Sequence, residues 1–157
     1  MEDKTNVMRF LDKKKVEYIP HFYGNTEAIS GTEVAEALGQ EEERVFKTLV
    51  TVGKSGQYYV FIVPVWGELD LKKAAKSVKE KSIEMIKSKD LLPLTGYIHG
   101  GCSPIGMKKQ FKTTIHPTAQ DFDTIFFSAG RIGYQLEMSL DNLRKVIRVE
   151  CADIVEV

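Results

Sequence analysis

The sequence is poor in cysteine, with only Cys102 and Cys151. Two thiols cannot make a disulfide framework, and they read as the reduced cysteines of a cytoplasmic protein. It also has no excess of either charge: 22 basic side chains face 22 acidic ones. That argues against holding nucleic acid by bulk electrostatics, though not against an enzyme that grips one end of an RNA. Long apolar runs are missing too. The longest, Tyr58–Val65, is far too short to span a bilayer, so no membrane role is expected. The opening MEDKTNVMRF has early acids and no hydrophobic core, so no secretory signal is expected. No repeat, linker or low-complexity stretch interrupts the sequence.

What is present suits a folded protein. The chain is 43% hydrophobic and 28% charged, and 157 residues can bury a core, so one domain over residues 1–157 is expected. Apolar spacing predicts a helix over Thr5–Lys15 with Thr5 as its cap, and a second through Leu38, capped by Ser30 or Thr32 and stopped by Gly39. Glu17–Phe22 reads as a strand. Arg44–Val52 and Gln57–Val63 read as strands joined by a Gly-Lys-Ser-Gly turn. A helix over Leu71–Val78 is capped by Asp70. A short strand, Ile83–Ile86, and a helical turn, Ser88–Leu92, ended by Pro93, follow. Glycines and Pro104 make Thr95–Lys109 irregular. Phe111–Ile115, Thr124–Ser128 and Tyr134–Met138 read as strands, the last two linked by a tight Ala129–Gly133 loop. A helix from Ser139 to about Val146 and a strand over Cys151–Val155 close the chain. Without a βαβ rhythm, this predicts a mixed α/β (α+β) fold with a mixed or mostly antiparallel sheet, curled and flanked by helices.

Four features carry chemical possibilities. Lys47 lies in an otherwise apolar strand, on the same side as Val45 and Leu49. A lysine there either snorkels to solvent or works in a cleft, where it can hold an anion or polarise a carbonyl. The segment from Thr95 to Gly106, with Gly100, Gly101, Cys102, Ser103 and Pro104, is either a turn-rich connector or a nest of backbone N–H groups for an oxyanion. Ser128, Ala129 and Gly130 at a hairpin tip are either a plain turn or a second ligand-facing loop. Lysines 72, 73, 76, 79, 81, 87 and 89, followed by Lys108, Lys109 and Lys112, form either a solvated face or a phosphate track. Cys102 with His99 or His116 lacks the fixed spacing of a nucleophile and base, and His99-x-x-Cys102 completes no metal pattern.

Taken in order, these segments resemble the YbaK/EbsC family, relatives of the editing domain inserted in bacterial prolyl-tRNA synthetases. The resemblance runs from His21-Phe22-Tyr23 and Gly31-Thr32-Glu33-Val34 through Val45-Phe46-Lys47-Thr48-Leu49 and Leu69–Lys76. It continues over Thr95-Gly96-Tyr97, Gly100–Gly106, Ser128-Ala129-Gly130 and Ala152-Asp153-Ile154. It implies the family's fold, a curled, partly barrel-like sheet with flanking helices. It also implies hydrolysis of mischarged Cys-tRNA(Pro) without metal or cofactor, at the tRNA acceptor end and beside prolyl-tRNA synthetase. By the same resemblance Lys47 is catalytic, Gly100–Pro104 form the substrate loop, and Tyr23 and Ser128 line the pocket. The implied mechanism is substrate-assisted: the bound cysteine's thiol attacks its own ester carbonyl and forms a thiolactone. The sequence departs from the family at Ala129, often glycine, and at Gln135, often an acid, which bears on the pocket's selectivity. The alternatives are a deacylase for Ala-tRNA(Pro) or another ester, and a non-catalytic tRNA-binding or regulatory module.

Overall fold

The computed structural model describes residues 4–156. Helix α1 (Asn6–Lys14) begins where Thr5 Oγ1 accepts the Met8 N–H, and it buries Val7, Met8 and Leu11. Strand β1 (Ile19–Phe22) follows. Helix α2 (Gly31–Leu38) opens on a capping box between Ser30 and Glu33 and stops at left-handed Gly39. The strand expected from Arg44 starts later, because Glu42–Arg44 form a 3₁₀ turn. Strands β2 (Phe46–Gly53) and β3 (Tyr58–Pro64) make the expected hairpin. Helix α3 (Leu71–Val78) is capped by Asp70, and strand β4 (Ile83–Met85) follows. Helix α4 (Ser88–Thr95) runs through Pro93, where the sequence predicts a stop. A proline there removes one intrahelical donor, while the Thr95 hydroxyl and Gly96 N–H satisfy the carbonyls of Leu91 and Leu92.

Strands β5 (Lys112–Ile115), β6 (Ile125–Arg131) and β7 (Tyr134–Met138), helix α5 (Leu140–Arg144) and strand β8 (Val149–Cys151) complete the order. Strand β6 continues through a bulge between Ser128 and Arg131, so the expected Ala129–Gly133 loop shrinks to a tight turn. The last strand lies earlier than expected. Its neighbour β5 ends at Ile115, and Val155 forms only an isolated bridge with Leu69.

The strands form two sheets: antiparallel β1-β7-β6, and mixed β4-β2-β3-β5-β8 with β5 parallel to both neighbours. The expected partly barrel-like curl is not borne out as closure of a sheet. The sheets do not close, and the strands meet across the gap at a single parallel bridge, Val45 to Phe126. The main core joins the β6–β7 face (Phe127, Leu136, Met138) to α1 and to Ile62 and Ile115 of the larger sheet. A second packs α3 (Ala74, Ala75, Val78) on Tyr59, Phe61 and Val63 of β3.

Candidate active site

The functional site begins with a break in backbone pairing. Val65 N–H donates to Val45 O (2.9 Å) and Gly53 N–H to Gln57 O (2.8 Å), so the odd-numbered peptide groups of β2 face β3. The even-numbered groups face the other edge. There β4 pairs with residues 51–53 and Ile86 N–H reaches Val50 O (3.3 Å), while among the described residues the backbone bridge on the β6 side is Val45–Phe126, just before β2. Between these two points the peptide edge at Thr48 lies open. A cleft of about 660 Å³ wraps this edge, a volume suited to a small ligand.

Lys47 stands on one face of the open edge, in line with Val45 and Leu49 as alternation requires. Its side chain keeps 30% of its exposure, and its Nζ lies 3.7 Å from Oε1 of the exposed Glu68. Such a loose, solvated pair is worth little, so Glu68 holds the ammonium only weakly. The first turn of α2, Ser30–Thr32, lines the same cleft and adds the positive end of a helix dipole. On the other face, Phe46, Thr48 and Val50 combine with Cys102, Phe127 and Tyr134 into a more apolar wall.

Remote segments bring the remaining groups. Tyr23, Gly100, Cys102, Ser128 and Gln135, all expected from the sequence, line the cleft with Lys47. Gly101, Ser103 and Pro104 are buried and lie outside the lining, as do Ala129 and Gly130. Their places explain this. Gly101 presses on the β6–β7 turn, where an added Cβ would stand 3.1 Å from Ile132 N and 3.3 Å from Arg131 Cα. Gly100 holds a left-handed φ of +88°, which turns the loop toward the cleft. Ser103 Oγ accepts the Ile105 N–H within the loop. Ala129 sits fully buried in the main core, so its methyl packs there and leaves the cleft surface unchanged.

Gln135 does face the cleft, and its amide exchanges two hydrogen bonds with Gln40 (2.7 and 3.0 Å). The pair is neutral and ties the end of α2 to β7. Below it, Arg44 donates to Thr124 O (3.0 Å) and lies over the Phe126 ring, while His21 contacts Glu137 at 2.8 Å. Burial works to raise the Glu137 carboxyl, but hydrogen bonds from Thr124 and His21 and the nearby Arg44 charge hold it below the usual glutamate range. This network fastens the start of β2 to β6 and so sets the width of the gap.

Cys102 reads differently from a nucleophile. Burial pushes its thiol up to about 12, so it stays protonated at neutral pH, and thiolate chemistry is suppressed. No bond links it to His99 or His116; His116 instead bonds Thr118 and faces Asp153. Nor do three or more His, Cys, Asp or Glu side chains converge as metal ligands among the described residues. Cys102→Ala is therefore expected to keep most activity, and intact protein at pH 8 should alkylate at half-buried Cys151 well before Cys102. Rapid labelling of Cys102 together with an inactive Cys102→Ala would reverse this.

Sequence reasoning missed Thr48, Glu68 and the α4 side of the cleft, Met85, Ile86, Ser88 and Leu91, together with Gln40 behind Gln135. Only Thr48 had a local signal, its adjacency to Lys47; the others reach the cleft through long-range packing.

EbsC of Enterococcus faecalis, provisionally named a Cys-tRNA(Pro)/Cys-tRNA(Cys) deacylase, is 45% identical over 154 residues, covering 98% of this chain and 94% of that protein. Two solved structures share the fold. One, described as a provisional trans-editing enzyme for prolyl tRNA synthetase, has a TM-score of 0.83 at 22% identity, covering 99% of this chain and 100% of the other. The second, the hypothetical protein APE2540, has a TM-score of 0.86 at 19% identity, over 96% and 99% of the two chains. Among the described residues no helix is long and apolar enough to cross a membrane. The sequence pattern of the aminoacyl-tRNA editing domain matches residues 26–146. With the match to EbsC over nearly the whole chain, this chain belongs to the aminoacyl-tRNA editing domain family.

Proposed function

We propose that this chain is a trans-editing deacylase that clears mischarged Cys-tRNA(Pro), acting in the cytoplasm on the tRNA acceptor end, beside prolyl-tRNA synthetase. The observation that carries the reading is the convergence of Lys47, Gly100, Ser128 and Gln135 from distant segments around one open strand edge. An aminoacyl ester is already activated, so the site need only orient the attacking group and stabilise charge on the carbonyl oxygen. Lys47 Nζ and the backbone of the Gly100 loop are suited to that work. The protonated Cys102 and the lack of a bonded nucleophile–base pair at the cleft favour attack by the substrate itself. The sulfur of the bound cysteine bonds to its own carbonyl carbon while the bond to the ribose oxygen breaks. The thiol proton ends on that oxygen, and water then opens the thiolactone to free cysteine.

The test is deacylation of a panel of mischarged tRNAs. Rapid loss of Cys-tRNA(Pro) is expected. A preference for Ala-tRNA(Pro) would transfer the chain to that substrate, and inactivity throughout would leave a binding module.

The lysines make a separate claim. Lys73 is engaged with Asp153 and the Val155 carbonyl, whereas Lys108 and Lys109 are exposed just beyond the glycine loop. Replacing Lys108 and Lys109 with glutamine is expected to raise KM and flatten its salt dependence by about one unit of logarithmic slope for each phosphate no longer neutralised. An unchanged slope would return them to the solvated surface.

A further inference from the structure

We infer that Thr48 is a further specificity-determining residue of the cleft, its hydroxyl being the hydrogen-bond partner for a thiol or hydroxyl on the aminoacyl group. This rests on the deacylase reading. Among the described residues, Thr48 Oγ1 is the one buried side-chain oxygen or nitrogen without a hydrogen-bond partner. Three other buried threonines have bonded hydroxyls: Thr51 donates to Tyr59 O (3.0 Å), Thr113 to Phe111 O (2.9 Å) and Thr95 to Leu91 O (2.7 Å). A buried hydroxyl left single is costly, so its presence at a cleft points to a ligand that completes it.

Its position says which part of the ligand. Thr48 shares its strand face with Phe46 and Val50, the apolar wall that also holds Cys102, Phe127 and Tyr134. Lys47, one residue earlier, stands on the opposite, wetter face beside Glu68. An aminoacyl group bound across the open edge thus sends its ester oxygens toward Lys47 and its side chain into the wall at Thr48. A cysteinyl thiol can donate to the Thr48 oxygen or accept its hydrogen, whereas an alanyl methyl leaves the hydroxyl buried and single. A seryl hydroxyl is met equally well but is a poorer attacker at neutral pH. During attack the thiol proton passes to the departing ribose oxygen. Thr48 takes no proton and only orients the sulfur. Thr48 then adds orientation of the sulfur to the preference that the thiol's own reactivity gives, and an alanyl ester gains nothing from it.

Thr48→Val removes the hydroxyl at nearly constant shape, and Thr48→Ser keeps it. In Thr48→Val, kcat/KM for Cys-tRNA(Pro) is expected to fall roughly ten- to a hundredfold, with Ala-tRNA(Pro) changing less than about twofold. The melting temperature should hold or rise, because no internal bond is removed, and Thr48→Ser should retain the cysteine preference. An unchanged Cys-to-Ala ratio in folded Thr48→Val overturns the assignment while leaving the deacylase reading in place. Equal losses on both esters with a lower melting temperature, or failure of Thr48→Val to fold, overturns it in favour of a structural hydroxyl. A wild-type chain inactive on both esters overturns the deacylase reading and this assignment with it.

Discussion

Lys47→Ala is expected to lower kcat/KM for Cys-tRNA(Pro) by at least about a hundredfold, the usual loss when one donor to a developing oxyanion is removed. The fold should survive. The Lys47 side chain is 30% exposed, makes one loose contact with Glu68 and belongs to no core cluster. Its truncation should move stability by no more than about 0.5 kcal/mol, in the range of ordinary surface substitutions. By contrast, emptying a fully buried neighbour on the hairpin such as Phe61 would remove about 3–5 kcal/mol. A dead enzyme with a wild-type melting curve therefore separates function from packing at this position. Lys47→Arg should fail as well, because a planar fork cannot replace a compact ammonium beside the strand edge. The measurement is single-turnover deacylation with a parallel thermal melt, and near wild-type rates in folded Lys47→Ala would remove Lys47 from the mechanism.

Cysteine esters should be cleaved much faster than serine or alanine esters of the same tRNA, by two orders of magnitude or more on the thiol-attack mechanism. Size cannot produce that order, since a cleft that admits cysteine admits both smaller side chains, and pockets reject smaller analogues poorly. Chemistry can, because a thiol is far more easily made anionic at neutral pH than a hydroxyl, and a methyl group cannot attack at all. Methylating the cysteine sulfur should abolish the advantage, and a thiolactone should be trapped before it hydrolyses. Equal rates for cysteinyl and alanyl esters would indicate attack by water, with Lys47 and the Gly100 loop acting on the carbonyl alone. The neutral Gln40–Gln135 pair matters here. It puts no fixed negative charge beside the substrate, so nothing at that position opposes charge building on sulfur.

Much of the local structure is written in short-range signals. Thr5, Ser30 and Asp70 cap α1, α2 and α3 because a hydroxyl or carboxylate oxygen at that point meets otherwise orphaned N–H groups. Gly39 ends α2 because it alone enters the left-handed region without strain. Alternation places Lys47 with Val45 and Leu49, and the order of Lys47, the glycine loop and Ser128 carries the family. Boundaries were less legible where two signals compete. Pro93 reads as a stop, yet α4 continues to Thr95 and ends on left-handed Gly96. Ala129 reads as part of a loop, yet it is a buried strand residue because the bulge carries β6 further.

By itself, then, the sequence determined the helices capped by Thr5, Ser30 and Asp70, the central hairpin, the mixed α/β class and the candidate groups for chemistry. These depend on spacing, propensity and motif, which are properties of neighbours along the chain. The tertiary structure alone decided that the strands divide into two sheets, and that β2 keeps an open edge between β4 and β6. It also decided that Gly100 and Cys102 reach the cleft while Gly101, Ser103 and Pro104 stay behind it. Glu68, Gln40 and the lone hydroxyl of Thr48 acquire their roles in the same way. Which strand lies beside an edge, and which polar group is left without a partner, depend on contacts between residues tens of positions apart, and these exist only once the cores have packed.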